Sequence, residues 1–381
     1  MGIDCAVVTL TILLRPLTLP ERLPDARDNK HMHIAHVTSF YSASALSPSS
    51  AVRTRGIAYR AAGHEFSVIV PGTVASMAWA EYGTIVTVPA RGTALRRGFV
   101  PIPFAIRRAL DRLVPDQLEV ADRLSFRQLG VWARDNRVPA VLFADDVAAD
   151  LATDRAWENY DRVVCGIHSA TLTTALSASG SVVTMRPFID LEIFTPLRHN
   201  STLRDASGAE LIVVCASPLT ATGSVSLAID AIRELTDQGT DVLLVVLGDG
   251  PLRSRLERSA HGLPVQFLSA SDLSLSERSE VLATADFALV TVDGSVGHAV
   301  ALEALASGTP VIMSGFTVHS IDFRDGGGLT TEADPAQIVH AVSILGEKSV
   351  ESRRRAARET ALAFDAMPLS RAMVELHESL S

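Results

Sequence analysis

Residues 285–312 contain the clearest pattern in this chain for binding a phosphate-bearing ligand. They read as an apolar strand, a glycine-containing loop, a helix from about His298 to Ala306, and a Ser-Gly-Thr-Pro turn that leads into a further strand. The first N–H groups of a helix lack partners within the helix, and together with the helix dipole they favour an anion. The same helix carries one carboxylate, Glu303, whose simplest role is a favourable interaction with that dipole.

Acidic side chains near the ends of apolar stretches are the second group of candidates. Asp145 and Asp146 follow such a stretch. Ligands of open α/β sheets bind beyond the carboxyl ends of the strands, so these carboxylates could act as a base or contact an acceptor. The alternative is a solvated loop start or a helix cap. Glu119 and Asp122 form a similar pair, with acceptor positioning and a structural role as the two interpretations.

The segment Gly-Asp-Gly-Pro-Leu-Arg, which begins at Gly248, follows an apolar strand and starts a helix, as in the G-x-G-x-x-G fingerprint of dinucleotide-binding proteins. The third glycine of that fingerprint is Arg253 here, and residues 39–56, in the first strand–helix unit, contain no such pattern. We therefore expect no NAD site. Pro251 at the first helical position explains the segment as a strand-to-helix turn.

Composition and charge limit the class of protein. The chain has 381 residues, of which 47% are hydrophobic and 20% charged, so a globular protein with two domains is expected. A formal net charge of −9 argues against nucleic-acid binding, which needs basic surface. The apolar run at residues 5–14 is too short to span a bilayer. Because Cys5, Cys165 and Cys215 are widely spaced and show no metal-ligand pattern, we expect buried thiols and a cytoplasmic protein.

Strands and helices alternate from Met32 almost to the end of the chain, which predicts parallel sheets covered on both faces. A helix closed by glycine and followed by a strand occurs twice, at Gly63 and Gly239, so we predict two Rossmann-like domains in tandem. Residues 1–31 are expected to be either an extension from a misassigned start codon or a disordered leader. The predicted division of the rest is a first domain at 32–195, a linker at 196–208, a second domain at 209–361 and a C-terminal helix at 362–381.

Several motifs together resemble the retaining family 4 glycosyltransferases of the GT-B fold. Glu303 and residues 305–311 (Leu-Ala-Ser-Gly-Thr-Pro-Val) match the second half of the donor-binding signature of that family, whose first acid would stand at Ser295. Within that family the chain resembles the actinobacterial GDP-mannose-dependent mannosyltransferases that act on lipid or glycolipid acceptors. The resemblance extends from Met32 to about Phe364. The motifs whose order and spacing support it lie at residues 118–134, 189–196 and 247–268.

The resemblance implies a cleft between the two domains, a last helix that packs back on the first domain, and a nucleotide-sugar donor, by analogy GDP-mannose, bound without a metal or other cofactor. It implies a lipid or small polyol acceptor and contact with the inner face of the membrane. Glu303 would hold the ribose hydroxyls of the donor. The residues predicted at the donor site are Glu303, Ser295, Gly297, His298, Val300, Gly223, Thr222, Arg53, Gly248 and Asp249, and those predicted for catalysis are Asp145 and Asp146.

Other positions depart from the pattern of the family. The loop after the first strand of its second domain usually carries an Arg and a Lys, which stabilise the charge that develops on the donor phosphates. These positions are Pro218 and Gly223 here, and Asp145 and Asp146 replace a His-bearing loop. The candidates to substitute are Arg53 or Arg55, the amides of residues 222–224, and His298 with the amides around Gly297.

Two functions from different classes follow. The first is a hexosyltransferase that moves a hexose, by analogy mannose, from a nucleotide sugar to its acceptor with retention. The second is a catalytically degenerate paralogue that binds a nucleotide or a protein partner. The loss of the Arg, Lys, first acid and His favours the second, whereas Glu303 and the intact signature helix favour the first. Because members of this family are mostly transferases, we expect an enzyme.

Overall fold

The computed structural model describes residues 31–38, 50–72, 74–91, 100–101, 103–122, 124–144, 155–166, 181–292, 294–315 and 321–380. Within these ranges the chain forms two β-sheets with helices packed against them. Most strands are parallel to their neighbours, as alternation of strands and helices along the chain requires. The prediction of two Rossmann-like domains with parallel sheets is confirmed.

The first sheet has the strand order β3-β4-β2-β1-β6-β7-β8-β9, with β5 beside β4. Strands β3 and β5 run antiparallel to β4, and the other pairs are parallel. The bounds are β1 His33–Thr38, β2 Glu65–Gly72, β3 Ser76–Ala80, β4 Gly83–Arg91, β5 Val100–Pro101, β6 Gln117–Ala121, β7 Ala140–Phe143, β8 Arg162–Gly166 and β9 Val182–Met185.

The second sheet has the order β12-β11-β10-β13-β14-β15, and its strands are all parallel. Its strands are almost entirely apolar because helices cover both faces. The bounds are β10 Leu211–Ala216, β11 Val242–Leu247, β12 Val265–Leu268, β13 Phe287–Val290, β14 Val311–Ser314 and β15 Gly328–Thr331.

The α-helices of the described residues connect these strands or close the chain. Their bounds are α1 Ser50–Ala61, α2 Pro103–Leu113, α3 Phe126–Asn136, α4 Ser201–Ser207, α5 Val225–Asp237, α6 Arg253–Ser259, α7 Leu275–Thr284, α8 Gly294–Ala306, α9 Pro335–Gly346, α10 Val350–Leu362 and α11 Ala366–Glu378. In none of them do length and hydropathy together suffice to cross a membrane.

Glycine ends two of the predicted helices. Gly63 follows α1 with φ +90° and Gly239 follows α5 with φ +84°, which are left-handed conformations that glycine adopts without the steric cost of a Cβ. Helix α5 buries Ala228, Ile229 and Ile232 on one face, with the spacing of three to four residues that an amphipathic helix needs.

Three elements differ from the sequence-based expectation. Helix α8 begins at Gly294, one turn before the predicted start at His298, because packing in the core outweighs the poor helix propensity of two glycines. The predicted linker contains α4, whose N-terminus is capped by the Asn200 side chain. The last helix begins at Ala366, four residues after the start of the predicted segment at residue 362.

A buried polar cluster holds the last helix against the first sheet. Its centre is the carboxylate of Glu119 on β6, which has no exposed surface. The Tyr59 hydroxyl donates to Glu119 Oε1 at 2.5 Å. His36 Nδ1 lies 2.7 Å from Oε2, and His377 Nε2, from α11, lies 2.9 Å from Oε1. Arg55 Nε lies 3.8 Å from Oε2. We call these five residues the Glu119 cluster.

Electrostatics keeps this buried carboxylate charged. Burial alone would raise the pKa of Glu119, but the charge of Arg55 and the hydrogen bonds of His36 and His377 outweigh it, so the pKa lies well below its usual range. Gln117 adds a bond from its side-chain amide to the His377 main-chain carbonyl at 2.8 Å. Of the two interpretations of Glu119, the structural one therefore fits.

The chain crosses twice between the two sheets, and the crossings are bonded to each other. Ile189 N donates to the Phe364 carbonyl at 2.9 Å, and Ala366 N donates to the Ile189 carbonyl at 3.1 Å. The Arg358 guanidinium donates to the carbonyl of Phe194 at 2.7 Å in the first crossing. The two connections therefore act as one bonded unit.

Replacing Glu119 should unfold the first sheet more easily. Glu119→Ala leaves Arg55 and the two histidines buried without their anion, which costs about 3–5 kcal/mol of unfolding free energy. Urea unfolding followed by tryptophan fluorescence measures this, because all three tryptophans (Trp79, Trp132 and Trp157) belong to the first half of the chain.

Glu65→Ala is the matched control. The Glu65 side chain is 66% exposed and its nearest cation, His31, is 4.0 Å away, so the change should stay within about 0.5 kcal/mol. A Glu119→Ala protein as stable as the control would contradict a stabilising role for the cluster.

Candidate functional site

The second sheet has a topological switch point between β10 and β13. From β10 the chain proceeds outward to β11 and β12, then returns to add β13, β14 and β15 on the other side. The loops after β10 and β13 therefore leave the sheet in opposite directions and open a crevice at its carboxyl edge, where open α/β sheets bind ligands. Both loops lead directly into helices, α5 and α8.

Hydroxyl groups fix the loop after β10. The Ser217 hydroxyl donates to the Gly223 carbonyl at 2.8 Å, and the Thr291 hydroxyl, after β13, donates to the same oxygen at 2.7 Å. The Gly223 N–H donates to the Thr220 carbonyl at 3.2 Å, so this predicted phosphate donor is already in use. Ser224 then adopts φ +51°, an unusual value for a residue with a side chain, immediately before α5.

Close backbone packing explains the glycines of these loops. A Cβ on Gly223 would lie 1.9 Å from the Pro218 carbonyl oxygen, and a Cβ on Gly248 would lie 2.0 Å from the Ser217 carbonyl oxygen. The Gly248 N–H donates to the Leu268 carbonyl at 3.1 Å, and the Asp249 carbonyl accepts from Leu219 N at 3.0 Å. The Gly-Asp-Gly turn thus supports the loop after β10, which agrees with the interpretation as a strand-to-helix turn.

The buried thiol beneath this crevice is unreactive. Cys215 Sγ lies 3.9 Å from the Thr291 hydroxyl oxygen, and burial raises the pKa of the thiol to about 12. Cys165 is also buried. The Cys215 thiol therefore remains protonated at neutral pH. Among the described residues, no group of His, Cys, Asp or Glu could hold a metal ion.

Helix α8 brings most of the other predicted residues to the crevice. Ser295 and Gly297 lie in its first turn, and His298 follows with only 3% of its surface exposed. Val300 packs in the hydrophobic core, so its role is to support the helix rather than to contact a ligand through its side chain. Thr222 lies in the short 3₁₀ turn Ala221–Gly223 before α5.

Glu303, also on α8, forms an ion pair with Arg278 of α7. Arg278 Nη2 lies 2.6 Å from Glu303 Oε2. Burial raises the pKa of Glu303, and the charge of Arg278 opposes that increase. The carboxylate that the sequence singles out therefore has a partly buried cationic partner that the sequence analysis missed. A capping box at Ser274 and Glu277 marks the start of α7 in the sequence, but no local signal pairs Arg278 with Glu303.

The two arginines predicted as substitute cations are engaged elsewhere. Arg53 pairs with Glu81 and, at 3.0 Å, with Asp190 of the first crossing. Arg55 belongs to the Glu119 cluster, and its guanidinium carbon lies 4.2 Å from the centre of the Phe143 ring. Arg55 is also buried. The predicted catalytic pair, Asp145 and Asp146, lies outside the described residues.

A methyl group at Gly248 should destabilise the second sheet. Gly248→Ala forces the loop after β10 away from its position, and overpacking of this kind typically costs about 1–3 kcal/mol. Gly346→Ala is the control, because a Cβ there meets nothing within 4 Å and alanine favours the helix. Thermal unfolding should therefore show opposite shifts. Equal melting temperatures would contradict the role given to Gly248.

The sequence and the fold both have known relatives. The family described as Glycosyl transferases group 1 matches residues 210–347. Over 356 residues the chain is 33% identical to the GDP-mannose-dependent alpha-(1-6)-phosphatidylinositol dimannoside mannosyltransferase of two Mycobacterium tuberculosis strains, a match that covers 87% of this chain and 92% of that protein.

Two solved structures are similar in fold. Sucrose-phosphate synthase of Thermosynechococcus elongatus has a TM-score of 0.71 at 17% identity, and covers 92% of this chain and 99% of its own. Anabaena Alr3699/HepE, in complex with UDP and glucose, has a TM-score of 0.66 at 14% identity, with coverage of 92% and 100%. The family resemblance noted in the sequence is therefore confirmed: the chain belongs to the group 1 glycosyl transferases, has the GT-B fold, and is a glycosyltransferase that uses a nucleotide sugar.

Proposed function

We propose that this glycosyltransferase moves mannose from GDP-mannose to a lipid-linked acceptor with retention of configuration. The observation that carries the proposal is the 33% identity, over nearly the whole chain, to a GDP-mannose-dependent mannosyltransferase named for a phosphatidylinositol dimannoside. Mannose is α-linked in GDP-mannose, so a product with an α-(1-6) bond, such as that relative is named for, would be formed with retention.

The donor would bind in the second domain, residues 209–361, at the switch point between β10 and β13. Glu303 would accept hydrogen bonds from the ribose hydroxyls, and the diphosphate would lie near the starts of α5 and α8. Ser295, Gly297 and His298 belong to this part of the proposal because they occupy the first turns of α8.

The two helix N-termini offer a reason why the usual cations could be absent. A helix N-terminus is equivalent to about half a positive charge. The Thr291 hydroxyl bonds the Gly223 carbonyl, which ties the loop that starts α8 to the loop that starts α5. Two such partial charges beside one diphosphate would replace part of the stabilisation that the family draws from an Arg and a Lys, at positions that are Pro218 and Gly223 here.

The acceptor would approach from the first domain, residues 32–195, with Asp145 and Asp146 as candidate contacts after β7. A lipid-linked acceptor requires the enzyme to work against a membrane surface, so we propose peripheral contact with the inner face of the membrane. A soluble polyol is the alternative acceptor.

A non-catalytic function is the second candidate, and one observation favours it. Uncharged residues, Pro218 and Gly223, stand at both positions where the family has its phosphate-binding cations. Loss of a single preorganised group of this kind costs on the order of 100- to 1,000-fold in rate. Such a protein would still bind the nucleotide and would act through a protein partner.

Nucleotide binding tests the donor site. Calorimetric titration of the full chain with GDP, UDP, GDP-mannose and UDP-glucose should give micromolar binding of GDP and GDP-mannose. Glu303→Gln should weaken GDP binding by about 10- to 100-fold, because hydrogen bonds to a charged acceptor are lost. Glu359→Gln, an exposed residue of α10, is the matched control and should bind as the wild type does. If the folded wild type bound none of these four nucleotides, the proposed donor site would be wrong.

An assay of mannose transfer distinguishes the transferase from the non-catalytic function once GDP binding is established. Radiolabelled GDP-mannose incubated with vesicles that contain phosphatidylinositol mannosides should yield a labelled lipid, whose α-linkage can be read by NMR. A protein that binds GDP-mannose yet labels no lipid and no soluble polyol would instead support the non-catalytic function.

A further inference from the structure

The ion pair between Arg278 and Glu303 contains polar atoms that no other group satisfies. Arg278 Nη2 and Glu303 Oε2 are 2.6 Å apart, which is a close contact between opposite charges. Arg278 Nε is buried without a hydrogen-bond partner among the described residues, and Glu303 Oε2 is buried against the guanidinium. The Glu303 side chain is 7% exposed, and since Oε2 is fully buried, that surface belongs to the rest of the side chain. Unsatisfied buried polar atoms are costly and often mark a functional site.

The helix that carries Arg278, α7, has a well-fixed position. The capping box of Ser274 and Glu277 holds the first turn of α7. The Thr309 hydroxyl donates to the Leu282 carbonyl at 2.5 Å near the other end of the helix, and Arg198 Nη1 donates to the Ser276 hydroxyl at 2.5 Å. The helix is therefore anchored on both sides of Arg278. Arg278 thus approaches Glu303 from a fixed position on α7.

Other charges near α8 do not perform this task. From α10, Arg354 donates to the carbonyls of Ala283 and Ala285, and Arg358 donates to the carbonyl at the end of α8. The two strands packed against α8, β13 and β14, carry no charged residue. His298 lies on α8 itself, more than one turn before Glu303. Of these groups, only Arg278 alters the pKa of Glu303, which it lowers against the opposing effect of burial.

We propose that Arg278 is a positioning residue of the donor site, which holds Glu303 in the orientation and charge state needed to accept the ribose hydroxyls of the nucleotide. The inference rests on the proposed role of Glu303. The guanidinium lies against Oε2, and we assign the ribose contact to the other carboxylate oxygen. Ribose hydroxyls donate hydrogen bonds, and an ionised carboxylate accepts them better than a protonated one, which uses one oxygen as a donor.

The inference predicts a pH dependence with a definite sign. The ribose contact requires ionised Glu303, so it is lost as pH falls through the pKa of that group. Removing Arg278 leaves only burial, which raises the pKa of Glu303 further. The loss of ribose binding should therefore begin at a higher pH in a variant without the guanidinium than in the wild type.

Titration with two nucleotides isolates the ribose contact. GDP and 2′,3′-dideoxy-GDP share the base and the titrating diphosphate but differ in the two hydroxyls, so the ratio of their affinities reports only on the hydroxyls. For the full wild-type chain we expect GDP to bind about 10- to 100-fold more tightly between pH 6 and 8. For Arg278→Met the ratio should begin to fall at a higher pH than in the wild type, and it should recover as pH rises. Arg278→Lys, which keeps the charge, should remain close to the wild type at neutral pH.

The control variant is Arg255→Met, which removes an exposed arginine of α6 and should leave the ratio unchanged at every pH. If Arg278 only joined two helices, Arg278→Met would lower the melting temperature without changing the ratio, and that outcome overturns the inference while the donor site stands. If Arg278→Met does not fold, Arg278→Gln is used, and a wild-type ratio in that variant overturns the inference equally. A wild type that does not distinguish the two nucleotides, or binds neither, overturns both the inference and the ribose role of Glu303.

Discussion

The arrangement of the two sheets depends on one buried carboxylate, that of Glu119. A charge without solvent must be matched by donors and cations, and here the partners come from β1, α1 and α11. Because α11 follows the whole second domain in the chain, His377 brings the end of the polypeptide back to its first sheet. The cluster also holds Arg55 away from the crevice, where the family resemblance would have used a cation. The requirement to neutralise one buried charge thus fixes the last helix against the first sheet and engages Arg55, one of the candidate substitute cations.

The loops at the switch point between β10 and β13 are shaped by close backbone contacts more than by charge. Gly223 and Gly248 allow the loops after β10 and β11 to touch, and hydroxyls of Ser217 and Thr291 bind a single carbonyl oxygen. Such packing leaves little freedom in the position of the α5 N-terminus. A rigid loop with oriented dipoles needs no reorganisation when charge develops, which is the condition under which partial charges stabilise a transition state well.

Periodicity and turn residues predict this fold better than they predict the site. Alternating apolar strands and amphipathic helices predict two parallel sheets, and Gly63 and Gly239 mark where helices end. The interactions that define the site join residues far apart in sequence: Arg278 and Glu303 are 25 positions apart, and Glu119 and His377 are 258 apart. Nothing in the local pattern of either partner indicates the other. The start of α8 was misplaced for a related reason, since burial in the core can stabilise glycines that propensity alone disfavours.

The hydrogen bonds between the two chain crossings determine where the two sheets are joined. Two independent tethers would let the sheets shear, twist and separate, whereas Ile189 and Asp365 lie side by side in one short parallel bridge. Both connections between the sheets therefore meet at one place. Arg358 donates hydrogen bonds to carbonyls of the first crossing and of the last residue of α8. Through Arg358, the helix that carries Glu303 is bonded to the connection between the two sheets.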